Sequence, residues 1–374
     1  MDFMKKHHLL IDCSFFYYLC SENLSIELYT GRLLQGFRNS EVFDVTVIVW
    51  KGFESRIDNL AGYEVPKIVI DGHHHVTPWP IVDRILGLIP FKKELKARKI
   101  DVVLMPFHLQ CRLFFPKRYH QHVIVHDLIS QNDKIGIFKF FYHKFLLNKV
   151  SHYISISEGT RKALKQEEGI DSTVVHNSIA FDFTIQEEQV KCISGSKYIL
   201  DVNRFQKSKN VQTLIQAFSL LKERIPHLLY LKGDSYNDTA EIEKLISDLD
   251  LKERVIIDKN YRSEGEMRYL YSHTDLFVTP SLEEGFGWTP IEAAVLEAPV
   301  LISDIDVLRE VSCDRLPTFN PHSPEELASK MLEMIANPPS AKARKELSKF
   351  YLEKYSLKRQ IDQLSEVLLQ GCKE

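Results

Sequence analysis

Two doubly wound α/β domains are the fold class this sequence predicts, and three observations lead there. Short runs of β-branched and aliphatic residues recur along the 374 residues. Several are apolar throughout instead of alternating, the pattern of parallel strands covered on both faces. Segments of helical spacing separate them, and the alternation occurs twice, with the polar, aperiodic stretch 180–195 between the two series.

In chain order, the first series places strands at 9–13, 45–50, 67–71, 101–105, 123–126, 153–157 and 173–176. Ser157 is placed to cap the helix that follows its strand. The second series places strands at 198–202, 228–232, 254–258, 276–279 and 300–303, with helices such as 211–224 and 240–249 between them. Residues 1–185 are therefore read as one Rossmann-like domain and 196–355 as a second. The tail 356–374 carries an amphipathic helix over 357–369.

Composition narrows the class. Hydrophobic residues make up 44% and charged residues 26%, the balance of a water-soluble globular protein. No apolar run approaches the roughly 20 residues that span a bilayer, and the N-terminus lacks the pattern of a signal peptide. The six cysteines are scattered without a C-x-x-C pair, which argues against zinc or a disulfide framework and fits a reducing cytoplasm. Residues 1–180 hold 23 Lys and Arg against 19 Asp and Glu, whereas the whole chain is at −3. The basic stretch Lys92, Lys93, Lys96, Arg98 and Lys99 follows apolar residues, which suits peripheral contact with an anionic membrane or equally a solvated helix face. Residues 134–150 read as a packed aromatic helix.

The most informative stretch runs from Pro280 to Ala294, PSLEEGFGWTPIEAA. It reads as a strand end, a glycine loop and a helix start. Thr289 is expected to cap the helix, with Pro290 at its first position and Glu292 completing a capping box. Gly285 and Gly287, on either side of Phe286, let a ligand approach the backbone. A helix N-terminus behind such a loop suits a diphosphate. Glu284 and Glu292 flank it, and carboxylates beside a phosphate site are better suited to neutral hydroxyls. A diphosphate with hydroxyls on both sides describes a nucleotide sugar. Upstream, Arg204 follows a strand end and Lys209 comes five residues later, a bidentate fork and a point charge for the two phosphates.

The string EGFG-x-x-P-x-E, with seven residues between Glu284 and Glu292, resembles the retaining glycosyltransferases of family 4, which have the GT-B fold: two Rossmann-like domains facing a central cleft. The resemblance covers residues 197–340 well and the first half in outline. It implies that Glu284 touches the donor sugar and Glu292 the nucleotide ribose. Arg204, Lys209 and Asn210 match the family's G-R-x-x-x-x-K-(G/N) motif, with Asn203 where glycine is usual. Gly233, with Asp234 after it, resembles a turn lining the nucleotide, and Asn260 and Tyr261 follow the strand near which the family's base sits. His126, Asp127 and Leu128 resemble V-x-H-D-L, whose histidine approaches the donor sugar across the cleft. His73, His108 and Asp127 are candidates for the acceptor side. His73, His74 and His75 are consecutive and point different ways, so no metal site is expected from them.

The resemblance implies retaining, metal-independent transfer of a hexose from a GDP- or UDP-sugar to a hydroxyl of a glycan or lipid-linked glycan. It implies no cofactor and no nucleic-acid partner. It places the protein in the cytoplasm, with the inner face of the membrane as a possible site of work. An alternative is a catalytically silent GT-B protein that binds a nucleotide sugar or a partner enzyme. Asn203, and the absence of glycine between Asp12 and Thr30, leave that open. A dinucleotide oxidoreductase fits the α/β pattern but requires a G-x-G-x-x-G that the first strand lacks.

Overall fold

A computed structural model describes residues 6–14, 24–70, 97–107, 120–126, 150–179, 181, 183–233 and 239–370. The chain divides into two compact units, residues 1–178 with 357–374, and residues 179–356.

The first unit is built on a seven-stranded parallel sheet of order β3-β2-β1-β4-β5-β6-β7. Its strands are β1 (His7–Asp12), β2 (Phe43–Trp50), β3 (Lys67–Ile70), β4 (Val102–Met105), β5 (His120–Val125), β6 (His152–Ser155) and β7 (Thr173–Val174). The middles of β1, β2, β4, β5 and β6 are closed to solvent, as the apolar runs predict, whereas Val69 of edge strand β3 is exposed. β5 begins three residues before the expected strand, because Gln121 and His122 are buried despite their polarity.

Helices α1 (Leu24–Phe37), α2 (Glu54–Ala61) and α3 (Glu158–Glu168) flank this sheet in sequence. Ser157 caps α3 by accepting from the Thr160 amide at 3.0 Å. The last helix of the chain, Leu357–Gln370, packs on α1 within this unit. Two glycines of α1 make room for its neighbours. A Cβ on Gly31 would lie 2.9 Å from the Leu60 carbonyl oxygen of α2, and one on Gly36 would run into Ile361. Polar contacts complete the seam: Gln360 Nε2 donates to Tyr29 Oη, and its Oε1 accepts from the Ser178 amide.

The second unit holds a six-stranded parallel sheet of order β10-β9-β8-β11-β12-β13. Its strands are β8 (Tyr198–Val202), β9 (Leu228–Lys232), β10 (Val255–Asp258), β11 (Leu276–Thr279), β12 (Val300–Ser303) and the two-residue β13 (Thr318–Phe319). The helices that follow are α4 (Val211–Ser219), α5 (Thr239–Asp248), α6 (Glu264–Ser272), α7 (Trp288–Val295), α8 (Asp306–Ser312), α9 (Pro324–Ala336) and α10 (Ala341–Lys354), which makes the terminal helix α11. One core joins Ile199, Leu229, Leu231, Leu276 and Val278 of the sheet to Leu214 and Phe218 of α4 and Met331 of α9.

Both sheets reverse winding direction at one place. In the second unit that place lies between β8 and β11, which are hydrogen-bonded neighbours although two strands separate them in sequence. Open α/β sheets bind ligands outside the carboxyl ends of the strands at such a switch point. The loops after β8 and β11 carry the residues singled out above.

Candidate functional site

The two loops of the switch point are stitched together by backbone and side-chain bonds. Leu282 donates its amide to the Ser208 carbonyl at 2.8 Å. Asn210, held left-handed at φ 54°, donates its side-chain amide to the carbonyls of Pro280 at 3.0 Å and Pro321 at 2.8 Å. Left-handed backbone is easiest for Gly and next easiest for Asn and Asp. The asparagine therefore turns the chain into α4 and ties three loops at once.

This stitching brings Lys209 onto Glu284. Lys209 Nζ lies 2.7 Å from Glu284 Oε1, with side chains only 15% and 11% exposed. Ser281 Oγ donates to the same carboxylate oxygen at 2.8 Å. The two candidate residues are therefore an ion pair, where sequence reasoning assigned them separate ligand contacts. Arg204 sits half-buried just past the end of β8, and its carbonyl accepts from the Gln206 amide at 2.9 Å.

Helix α7 starts two residues earlier than expected, which corrects the capping reading. Gly287 is the N-cap, left-handed at φ 83°, and no side chain caps the helix there. The turn depends on glycine, because a Cβ would fall 2.5 Å from Leu308 Cδ2. Pro290 consequently occupies the third helical position, still within the first turn where its missing N–H costs nothing. Glu292 lies beyond capping range and instead accepts from Tyr271 Oη of α6 at 3.2 Å. Burial and the Glu292 charge beside it hold the Tyr271 phenol far above its ordinary range. Phe286 is buried against Tyr355, with ring centroids 5.5 Å apart, so only its backbone is available to a ligand. Gly285 and Gly287 flank it in the same loop.

Gly233, at the end of β9, is required by a close approach: a Cβ would collide with the Asn203 carbonyl oxygen. Asn260 and Tyr261 lie past β10, the edge strand of the sheet. Tyr261 is 82% exposed, and the Asn260 amide donates to Asp258 Oδ1 at 3.0 Å. That turn is braced from below. Arg262 bridges Asp258 and Glu266 at 2.7 Å each, and Tyr230 Oη donates to Asp258 at 2.6 Å.

One residue escaped the sequence reading. Asp201, in the apolar strand YILDV, is fully buried at the carboxyl end of β8. Its Oδ1 accepts from the Asn203 side-chain amide at 2.5 Å, while its Oδ2 has no hydrogen-bond partner. Burial pushes its pKa up to about 8, against the pull of Asn203 and Lys209 and with the push of Glu284. The available signal was a lone carboxylate inside an otherwise apolar buried strand.

In the first unit, His126 follows β5 and is buried. Its Nε2 lies 2.8 Å from the Pro106 carbonyl oxygen, and Tyr29 packs on its ring edge-on at 4.7 Å. His73, His108, Asp127 and Asp234 fall outside the described residues, as does most of the basic stretch 85–99. Among the described residues no group of His, Cys, Asp or Glu could hold a metal ion, and no helix is long and apolar enough to cross a membrane.

Two parallel sheets of this winding, with a buried ion pair and a glycine-led helix start at the switch point of the second, define a GT-B type α/β protein. The fold matches the solved structure of Anabaena Alr3699/HepE in complex with UDP and glucose, with a TM-score of 0.71 at 16% identity over 97% of this chain and 100% of that one. Residues 182–350, nearly the whole of the second unit, match the family model described as glycosyl transferases group 1. Among curated relatives, the "O-antigen chain mannosyltransferase RfbU" of Salmonella typhimurium is 26% identical over 304 residues, 78% of this chain and 82% of that protein. The "Serotype-specific mannosyltransferase WbdA" of Escherichia coli is 28% identical over 238 residues, which is 57% of this chain and only 29% of that longer protein.

Proposed function

We propose that the protein transfers a hexose, with retention, from a nucleoside-diphosphate sugar to a hydroxyl of a glycan or lipid-linked glycan during polysaccharide synthesis. The observation that carries this reading is the Lys209–Glu284 pair, set beside the start of α7 at the β8/β11 switch point. The mannosyltransferase names of the relatives favour mannose as the sugar, and the UDP held by a protein of the same fold favours a nucleoside diphosphate as its carrier.

In this reading Arg204, Lys209 and the amides at the start of α7 hold the diphosphate, and no divalent metal is needed to neutralise it. Glu284 accepts from hydroxyls of the donor sugar and Glu292 from the ribose. Asn260 and Tyr261 border the base, and the backbone of Gly233, Gly285, Phe286 and Gly287 gives the ligand close approach. His126 donates or accepts at a sugar hydroxyl, and His73, His108 and Asp127 serve the acceptor. The bond from the sugar's anomeric carbon to the phosphate oxygen breaks, and its electron pair stays on the diphosphate. The acceptor oxygen attacks that carbon from the same face, and its proton passes to the departing phosphate oxygen. Arg204 and Lys209 gain strength as that charge builds, which is where they accelerate the step. The work is assigned to the cytoplasm, at the inner face of the membrane where a lipid-linked acceptor is met.

Thermal melting with GDP, UDP and their mannose and glucose conjugates, with and without EDTA, tests the reading, since a ligand of the folded state raises the melting temperature. A selective, chelator-insensitive rise is the expected result. No rise with any nucleotide would overturn it and favour a silent member of the family. Arg204→Ala is expected to lower kcat by about 10²–10³ while leaving the melting temperature unchanged. Full turnover in that variant would remove Arg204 from the mechanism.

A further inference from the structure

Asn203 stands where a glycine would leave the backbone of the first donor loop unencumbered, and the structure shows what accompanies it. Its carbonyl oxygen occupies the space that a Cβ on Gly233 would need, and its amide N–H donates to the Lys232 carbonyl at 3.0 Å. Its side chain is held by Asp201 at 2.5 Å. The residue is thus gripped on two sides immediately before Arg204. Phe205, directly after Arg204, is fully buried in the core. Asp201 is not a surface clasp, since its carboxyl is closed to solvent and uses one oxygen only.

We propose that Asp201 is a positioning residue of the donor site, clamping the Asn203 amide so that the turn after β8 presents Arg204 and Lys209 to the diphosphate. This rests on the donor-site reading above. A carboxylate next to a diphosphate would repel it, so the clamp suits the site only while it is uncharged. Burial supplies that condition, holding the Asp201 carboxyl neutral until pH 8 is approached. The charged and titratable groups around it are Lys209 from its own loop, Glu284 from the loop after β11, and Tyr271 of α6, which also bonds Glu292 of α7. Once ionised, Asp201 competes with the ligand for Lys209 and adds a second negative charge to that of Glu284. The site then loses affinity for an anion.

The test is calorimetric titration of the full chain with GDP and with UDP between pH 7 and 9.5, a window above the second phosphate ionisation at about 6. Binding to the native protein is expected to weaken above pH 8, approaching tenfold per pH unit, whereas Asp201→Asn, which cannot ionise, gives a flat profile. Asp201→Ala is expected to weaken binding about tenfold at pH 7. Adding Asn203→Gly to it should recover most of the loss, because a glycine needs no clamp. Parallel profiles for the native protein and Asp201→Asn would overturn the proposal, as would a double variant no better than Asp201→Ala. Should Asp201→Asn fail to fold, the rescue by Asn203→Gly decides alone. A native protein that binds neither nucleotide at any pH overturns the donor-site reading itself, and the clamp with it.

Discussion

Replacing Lys209 with methionine tests whether the Lys209–Glu284 ion pair is as buried as its geometry says. The substitution keeps the side chain's bulk and removes its charge. Glu284 is then left with the Ser281 hydroxyl at 2.8 Å as its remaining side-chain partner, in a position only 11% exposed. Exposed ion pairs are worth about 0–1 kcal/mol, and breaking a fully buried pair costs about 3–5 kcal/mol through the charge left behind. Side chains 15% and 11% exposed place this pair nearer the second case, so a loss of about 2–3 kcal/mol is expected. For a unit of this size that is roughly 5–10 °C in melting temperature. The assay is equilibrium denaturation of Lys209→Met, of Glu284→Gln and of the double variant. The double variant should recover most of the loss, because no charge remains stranded. A single-variant loss below about 0.5 kcal/mol, the level of ordinary surface substitutions, would refute the reasoning. So would a double variant whose loss is the sum of the two singles.

Other outcomes follow from particular contacts. The raised pKa of Asp201 means the unfolded chain binds fewer protons than the folded one between about pH 4 and pH 8, so native stability falls as pH rises through that window. The fall should reach about 1.4 kcal/mol per pH unit relative to Asp201→Asn, and parallel denaturation curves at pH 5 and pH 8 would refute the assignment. Gly233→Ala drives a methyl into the Asn203 carbonyl, and a loss of about 1–3 kcal/mol with weakened nucleotide binding is expected by denaturation and titration. Gly36→Val pushes the terminal helix off α1 at Ile361. It should cost about 1–3 kcal/mol in the first unit, and Ile361→Ala placed in the same chain should return part of it.

The layers of the second sheet were legible because β8, β9, β11 and β12 are largely closed to solvent and their sequences are predominantly apolar. Legibility failed where burial and polarity disagree. β5 starts at His120, before the expected 123–126, because Gln121 and His122 are polar yet buried in the sheet. β13 is two residues long and carries no periodicity to detect. α4 stops at Ser219, five residues before the apolar pattern of Val211–Arg224 ends, because Leu221 and Ile225 stay in the core from a turn. At the site, motif spacing supplied Arg204, Lys209, Glu284 and Glu292 one by one. Pairing depends on the distance between the loops that carry Lys209 and Glu284, which spacing does not encode. Asp201 was hidden for the same reason, since a strand interior is read for apolarity and its one carboxylate finds meaning only through Asn203.

The first unit is discontinuous in the chain, closed by α11 after residues 179–356 have been made. A ribosome adds roughly 5–20 residues per second, so the seven strands of the first sheet emerge many seconds before the helix that covers α1. Until then the seat of Ile361, Leu364 and Leu368 is open, and these are residues the finished structure buries. Nascent chains should therefore present a transient apolar surface around Gly36, a handhold for chaperones that the completed protein no longer offers. Loss of the last fourteen helical residues would make that surface permanent, turning a passing stage of synthesis into a route to aggregation.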